Sequence, residues 1–138
     1  MITQIDHIGI AVKSHDAHVP FYRDVLGFEF LGFEKVAEQK VKVAMLKVGE
    51  VKIELLQPIS EGSPIAKFIE KRGEGIHHIA YRTDGISGQI SDLKKNGIQM
   101  IDEIPKIGAH ETQIAFIHPK SSGRVLTELC QMKGAHNE

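Results

Sequence analysis

The chain repeats itself, and that constrains its fold more than anything else in the sequence. Ile5-Asp6-His7-Ile8-Gly9-Ile10-Ala11-Val12 resembles Ile76-His77-His78-Ile79-Ala80-Tyr81-Arg82: both are short β-branched stretches with a histidine at the third position. Both read as strands. A helix-like stretch follows each. The first runs from about Asp16 to Leu26, with Val19, Phe21, Tyr22, Val25 and Leu26 as its apolar stripe; the second runs from about Ser87 to Asn96, around Ile90 and Leu93. Gly27 and Gly97 then stand 20 and 19 residues after His7 and His78, where a helix C-cap glycine is expected.

Each copy continues with three more strands. Phe28 to Val36, Val41–Val48 and Val51–Gln57 complete the first, the last two joined by a tight Gly49-Glu50 turn. Ile98 to Glu103, Gln113–His118 and Arg124–Gln131 complete the second. Residues 64–72 read as a short linking helix with Pro64 at its first position. The expected fold class is α+β: two βαβββ modules, paired about a pseudo-two-fold axis, forming a cupped, barrel-like mixed sheet. The expected organisation is one domain over residues 1–138. Module 1 covers about 4–58, a linker 59–75, module 2 about 76–131 and a polar tail 132–138.

Composition excludes several function classes. Seventeen Lys+Arg against eighteen Asp+Glu leave a net charge of −1 and no basic footprint for nucleic acid. No apolar run approaches the roughly 18–20 residues of a membrane span. The opening Met-Ile-Thr-Gln-Ile-Asp-His lacks the pattern of a signal peptide, and the single cysteine, Cys130, makes no internal disulfide. A cytoplasmic location is expected. Eight histidines in 138 residues are the first sign of chemistry.

Four polar side chains break the apolar strands. His7 shares a face with Ile5, Gly9 and Ala11, and His78 with Ile76 and Ala80. Glu54 lies in Lys52-Ile53-Glu54-Leu55-Leu56, and Glu128 in Leu126-Thr127-Glu128-Leu129-Cys130. Glu54 follows His7 by 47 residues and Glu128 follows His78 by 50, so each copy offers one His and one Glu at matched places. A carboxylate in so apolar a strand is costly unless paired or metal-bound. If the copies face each other, His7, Glu54, His78 and Glu128 converge, and two imidazoles with two carboxylates suit a borderline divalent metal. The competing reading makes Glu54 a solvent-facing edge residue paired with Lys52 or Lys42. Of the other histidines, His15 and His18 read as solvated, His110 as part of a surface loop, and His136 as part of the tail.

These features resemble the vicinal oxygen chelate superfamily, which includes glyoxalase I and extradiol dioxygenases. Over about residues 4 to 131 the chain is similar to its methylmalonyl-CoA epimerases. The more specific stretches are Gly75-Ile76-His77-His78-Ile79-Ala80, Ser63-Pro64-Ile65-Ala66, Gly108-Ala109-His110 and His118-Pro119-Lys120. The resemblance implies one divalent metal ion per chain, Co(II) first and Zn, Ni or Mn after it. Its ligands would be His7, His78 and Glu128, with Glu54 as a fourth or outer ligand. It implies an acyl-CoA substrate, a homodimer, and interconversion of the C2 epimers of methylmalonyl-CoA through a metal-stabilised enolate. Inversion needs an acid/base on each face of a planar intermediate, and Glu128 and Glu54 are the catalytic pair expected. Two departures stand out: Val43 lies where some relatives carry a glutamate, and Glu111 follows His110 where glycine is commoner. The alternatives are a glyoxalase I, another metal-dependent enzyme of the superfamily such as an Fe(II) oxygenase, and a non-enzymatic protein that sequesters a small molecule.

Overall fold

A computed structural model describes residues 1–134. It divides the chain into two compact units: one is His7–His77, and the other joins residues 1–6 to everything from His78 onward. The boundary falls two residues past Ile76 in the second repeat and inside the first strand, so β1 (Ile2–Ala11) and β5 (Gly75–Thr83) each serve both units.

In the His7–His77 unit the strand order is β2 (Glu29–Val36), β3 (Val41–Val48), β4 (Val51–Pro58), β1. The first two pairings are antiparallel and β1·β4 is parallel. A parallel pair cannot be closed by a hairpin, so a long crossover must intervene. Here it contains α1 (His15–Pro20), started by Ser14, whose hydroxyl accepts from the Asp16 amide at 3.2 Å. Pro20 carries no amide hydrogen, and the chain after it widens into a π turn over Phe21–Val25. Gly27 then turns the chain at a φ of 77°, and Gly97 does the same, also at 77°, after α3 (Ile86–Lys95) in the other unit. Val19 packs onto Ala44, Leu46 and Leu55, with Tyr22, Phe28 and Phe30 around them. Burying each such aliphatic side chain contributes about 1.5–3 kcal/mol.

In the second unit the order is β5, β8 (Thr127–Gln131), β7 (Gln113–Ile117), β6 (Lys106–Ile107), with β5·β8 parallel and the others antiparallel. The topology of the first unit is thus repeated, with Ile86 and Ile90 of α3 packed on Ala115, Ile117 and Leu129. Residues 2–6 of β1 run with this unit. Buried Asp6 accepts from Arg82 Nε at 3.0 Å and Nη2 at 2.7 Å.

Two expectations need correction. The strand expected over Ile98 to Glu103 is reduced to a single bridge, Met100 to Ile117, and the regular pairing moves to Lys106–Ile107. The cause is Asp102: its carboxylate takes the Phe116 amide hydrogen at 2.9 Å, occupying the donor a ladder would use, and Pro105 supplies none. His15 is buried rather than solvated. Its Nε2–H donates to the Leu55 carbonyl at 2.8 Å, its backbone amide donates to Gln57 Oε1, and its ring lies 5.2 Å from Phe33. His18 is half-buried against Glu74 at 2.9 Å. The linking helix forms as expected, as α2 (Pro64–Arg72), while His136 lies outside the described residues.

Burial lowers the His15 pKa from its ordinary 6.5, with Lys42 adding to the effect. The folded state therefore binds this proton less readily than the unfolded chain. His15 contributes stability in full above about pH 6.5, and that contribution falls away below it. Urea titrations of wild type and His15→Gln between pH 5 and 8 should show a difference that shrinks as the pH falls through this window.

Candidate functional site

The ladders set the candidate side chains facing one another within each unit. Residues in register across neighbouring strands share a sheet face. Gly9 pairs with Glu54, and His7 stands two residues before Gly9. Ala80 pairs with Glu128, and His78 stands two residues before Ala80. The two halves therefore repeat the same register, not merely a similar spacing. On the outer flank Glu54 faces Met45 and Glu128 faces Phe116.

All four residues are buried, at 4–5% exposure. His7 Nδ1 lies 3.4 Å from Glu54 Oε2, and His78 Nε2 lies 3.1 Å from Glu128 Oε1. The two histidines present different ring nitrogens to their carboxylates. The His78 ring also stands edge-on to Phe116, with centroids 5.6 Å apart. Glu128 is enclosed by a second apolar cluster of Ile114, Phe116 and Cys130, flanked by Leu126 and Met132. Cys130 is 2% exposed there and serves as packing.

A buried carboxylate costs several kcal/mol unless its charge is met. One imidazole stands beside each carboxylate. Each unit thus brings together one imidazole nitrogen and one carboxylate oxygen, N and O donors of the kind a borderline divalent ion takes. The residues present thus fit the group that the resemblance implies.

Glu54 is not a solvent-facing edge residue. Lys42, one of the partners considered for it, lies on the opposite, helix-covered face, where its ammonium sits 4.7 Å over the Phe33 ring. Lys52 does share the face of Glu54 and is in register with His7. Simple alternation already placed Lys52 there. Val43, fully buried, also lies on this face, and half-buried Glu34 stands directly opposite it on β2. An acid therefore does neighbour Val43, on the adjacent strand. Alternation along β2 alone does not find it, because a bulge between Phe30 and Gly32 shifts the register.

The 108–112 loop is tightly turned. His110 and Glu111 both adopt left-handed backbone, with φ of 56° and 58°, and Gly108 packs so closely on Ile114 that a Cβ would meet it at 2.8 Å. Glu111 is exposed and ion-paired to Lys133, which lowers its pKa through their hydrogen bond. Among the described residues no helix is long and apolar enough to cross a membrane.

The cost of the buried carboxylate is measurable in metal-free protein. His78→Leu alone leaves Glu128 without that imidazole and should lower stability by roughly 3 kcal/mol. Adding Glu128→Met should recover most of that loss. Chemical denaturation of the two variants in the presence of a chelator checks both values.

Comparison with known proteins gives a consistent set of relatives. A family model described as the glyoxalase/bleomycin resistance protein/dioxygenase superfamily matches residues 6–116. The Bacillus subtilis protein YqjC, described as uncharacterized, is 46% identical over 138 residues, 99% of this chain and 99% of that protein. The ethylmalonyl-CoA/methylmalonyl-CoA epimerase of Cereibacter sphaeroides is 40% identical over 134 residues, 96% of this chain and 100% of that one. Among solved structures, a variant of Streptomyces coelicolor methylmalonyl-CoA epimerase in complex with 2-nitronate-propionyl-CoA superimposes with a TM-score of 0.93. It is 38% identical, and 100% of each chain is covered.

Proposed function

The chain belongs to the glyoxalase/bleomycin resistance protein/dioxygenase superfamily, and within it we propose that this is a metal-dependent epimerase interconverting the C2 epimers of methylmalonyl-CoA. The observation that carries the reading is the matched register of the two His/Glu pairs, one in each unit. Full-length relatives that are epimerases of such acyl-CoAs support the choice of substrate. A homodimer in the cytoplasm belongs to the same proposal.

In this reading His7, His78 and Glu128 hold the ion, and Glu54 completes the set. When bound, such an ion supplies positive charge beside the thioester oxygen, where electron density grows as the α-proton leaves. The proton transfers fall to the protein. Each carboxylate has two oxygens, so ligation through one leaves the other able to take a proton. Glu128 removes the proton from one face of C2, and Glu54 returns one to the opposite face; the roles reverse for the other epimer. The apolar strands around each pair keep solvent from quenching the planar intermediate.

Proton NMR of methylmalonyl-CoA in deuterated buffer tests the proposal, first with metal-stripped protein and then with Co(II) restored. Metal-dependent loss of the C2 proton signal, with epimer interconversion confirmed by a coupled stereospecific mutase, is the expected result. No exchange with Co, Ni, Mn or Zn sinks the reading and moves attention to methylglyoxal with glutathione. Two variants sharpen it. Glu128→Gln and Glu54→Gln should each cut epimerisation by about 10²–10⁴-fold while leaving exchange from one epimer faster than from the other. If Glu54→Gln leaves both exchanges intact, the assignment of the second base fails, and Glu34 is the next carboxylate to replace.

A further inference from the structure

The two units join their last two strands differently. In the His7–His77 unit Met45 faces Glu54, nine residues later, and the tight Gly49-Glu50 turn follows directly on the Val48·Val51 pair. In the other unit Phe116 faces Glu128, twelve residues later, and the ladder stops at Ile117·Thr127. The connection is three residues longer and forms a hydrogen-bonded turn, His118-Pro119-Lys120-Ser121-Ser122-Gly123-Arg124. His118 Nδ1 accepts from the Lys120 amide at 3.0 Å, and the Pro119 carbonyl accepts from the amides of Ser122 and Arg124 at 3.2 and 2.7 Å. The Ser121 hydroxyl accepts from the Gln99 amide at 3.0 Å, which ties the turn to the segment beside it.

Arg124 stands at a φ of 69°, directly after Gly123 at 68°. Left-handed backbone is strained for an L side chain and relaxed for glycine, so the fold keeps an arginine where glycine would be more stable. That arginine returns nothing to the fold. Its side chain is exposed, as is that of Lys120, and neither is hydrogen-bonded or ion-paired to any described residue. No acidic residue occurs between Glu111 and Glu128, so nothing nearby along the chain offsets the two positive charges. Two uncompensated cations on a turn already held by its own hydrogen bonds suit a phosphate, because the backbone needs no ordering when the anion arrives.

Resting on the reading above, the substrate carries its phosphates at the far end of the pantetheine arm from the thioester. A phosphate site must therefore stand away from the reacting carbon. Arg124 is four residues before Glu128, at most about 14 Å of chain, a separation that an extended pantetheine arm spans. We propose that the turn over residues 118–124 binds the phosphates of the CoA moiety, with Lys120 and Arg124 supplying the positive charge. These are substrate-binding residues in this account and move no proton. They make the enzyme selective for CoA esters over esters of pantetheine alone.

The experiment compares methylmalonyl-CoA with methylmalonyl-pantetheine, which carries the same acyl group and no phosphate. Dissociation constants are measured by calorimetry on metal-loaded wild type, Lys120→Gln, Arg124→Gly and the double variant. Arg124→Gly puts glycine where the backbone already favours it, so it should melt no lower than wild type, and weaker binding in it is not loss of fold. Each single variant should weaken methylmalonyl-CoA roughly three- to tenfold, and the double variant roughly ten- to hundredfold, with methylmalonyl-pantetheine unchanged within about twofold. Added KCl should weaken the wild-type complex with methylmalonyl-CoA more than that of the double variant. In turnover the loss should fall on KM far more than on kcat. Equal weakening of both esters overturns the proposal, as does no weakening of either. Wild type that binds methylmalonyl-CoA without epimerising it, with that binding weakened in the double variant, fails the functional reading while leaving this one standing. Wild type that binds neither ester fails both.

Discussion

Each half of the molecule hangs on a parallel pairing between its first strand and its last. β1 pairs with β4, and β5 with β8. Parallel strands cannot be joined by a tight turn, so a helix and two further strands must be inserted between them. That insertion explains why each histidine is almost fifty residues from its glutamate and yet sits within 3.4 Å of it. It also supplies the cover: α1 and α3 close one face of their strands with aliphatic side chains, which leaves the other face for polar groups. Disturb the parallel pair and both the apolar core and the His/Glu geometry are lost together.

The polar face is costly to keep. Glu54 and Glu128 are held away from water among Val43, Met45 and Leu56 in one unit, and Ile114, Phe116 and Cys130 in the other. A fold selected for stability alone would place apolar residues at both positions. The duplication places the same cost in both units.

Much of this was readable along the chain because it depends on short periods. Alternation in Ile5 to Val12 and in Val125 to Cys130 puts His7 and Glu128 on defined faces, and the glycines at 27 and 97 end their helices where the apolar stripes stop. The parts that were not readable depend on partners distant in sequence. Asp102 prevents a strand by capping the Phe116 amide, fourteen residues on. His15 is buried because the Leu55 carbonyl, forty residues away, accepts its ring N–H. Asp6 and Arg82 meet across 76 residues, an ion pair that no local pattern marks. Glu34 came to face Val43 only through a bulge in β2.

The sequence by itself determined the duplicated βαβββ pattern, the four residues that interrupt it and the family to which the chain belongs. Each of these is carried by residue type and by periods of two or about 3.6, which the backbone imposes locally. Tertiary structure decided which side chains meet: the two His/Glu contacts, the separation of Lys42 from Glu54, and the register that sets Lys52 beside His7. The physical reason is that strand register is a collective property. It is set by which hydrophobic faces bury together and by bulges such as that at Phe30/Gly32, and a one-residue slip reverses every side chain's face.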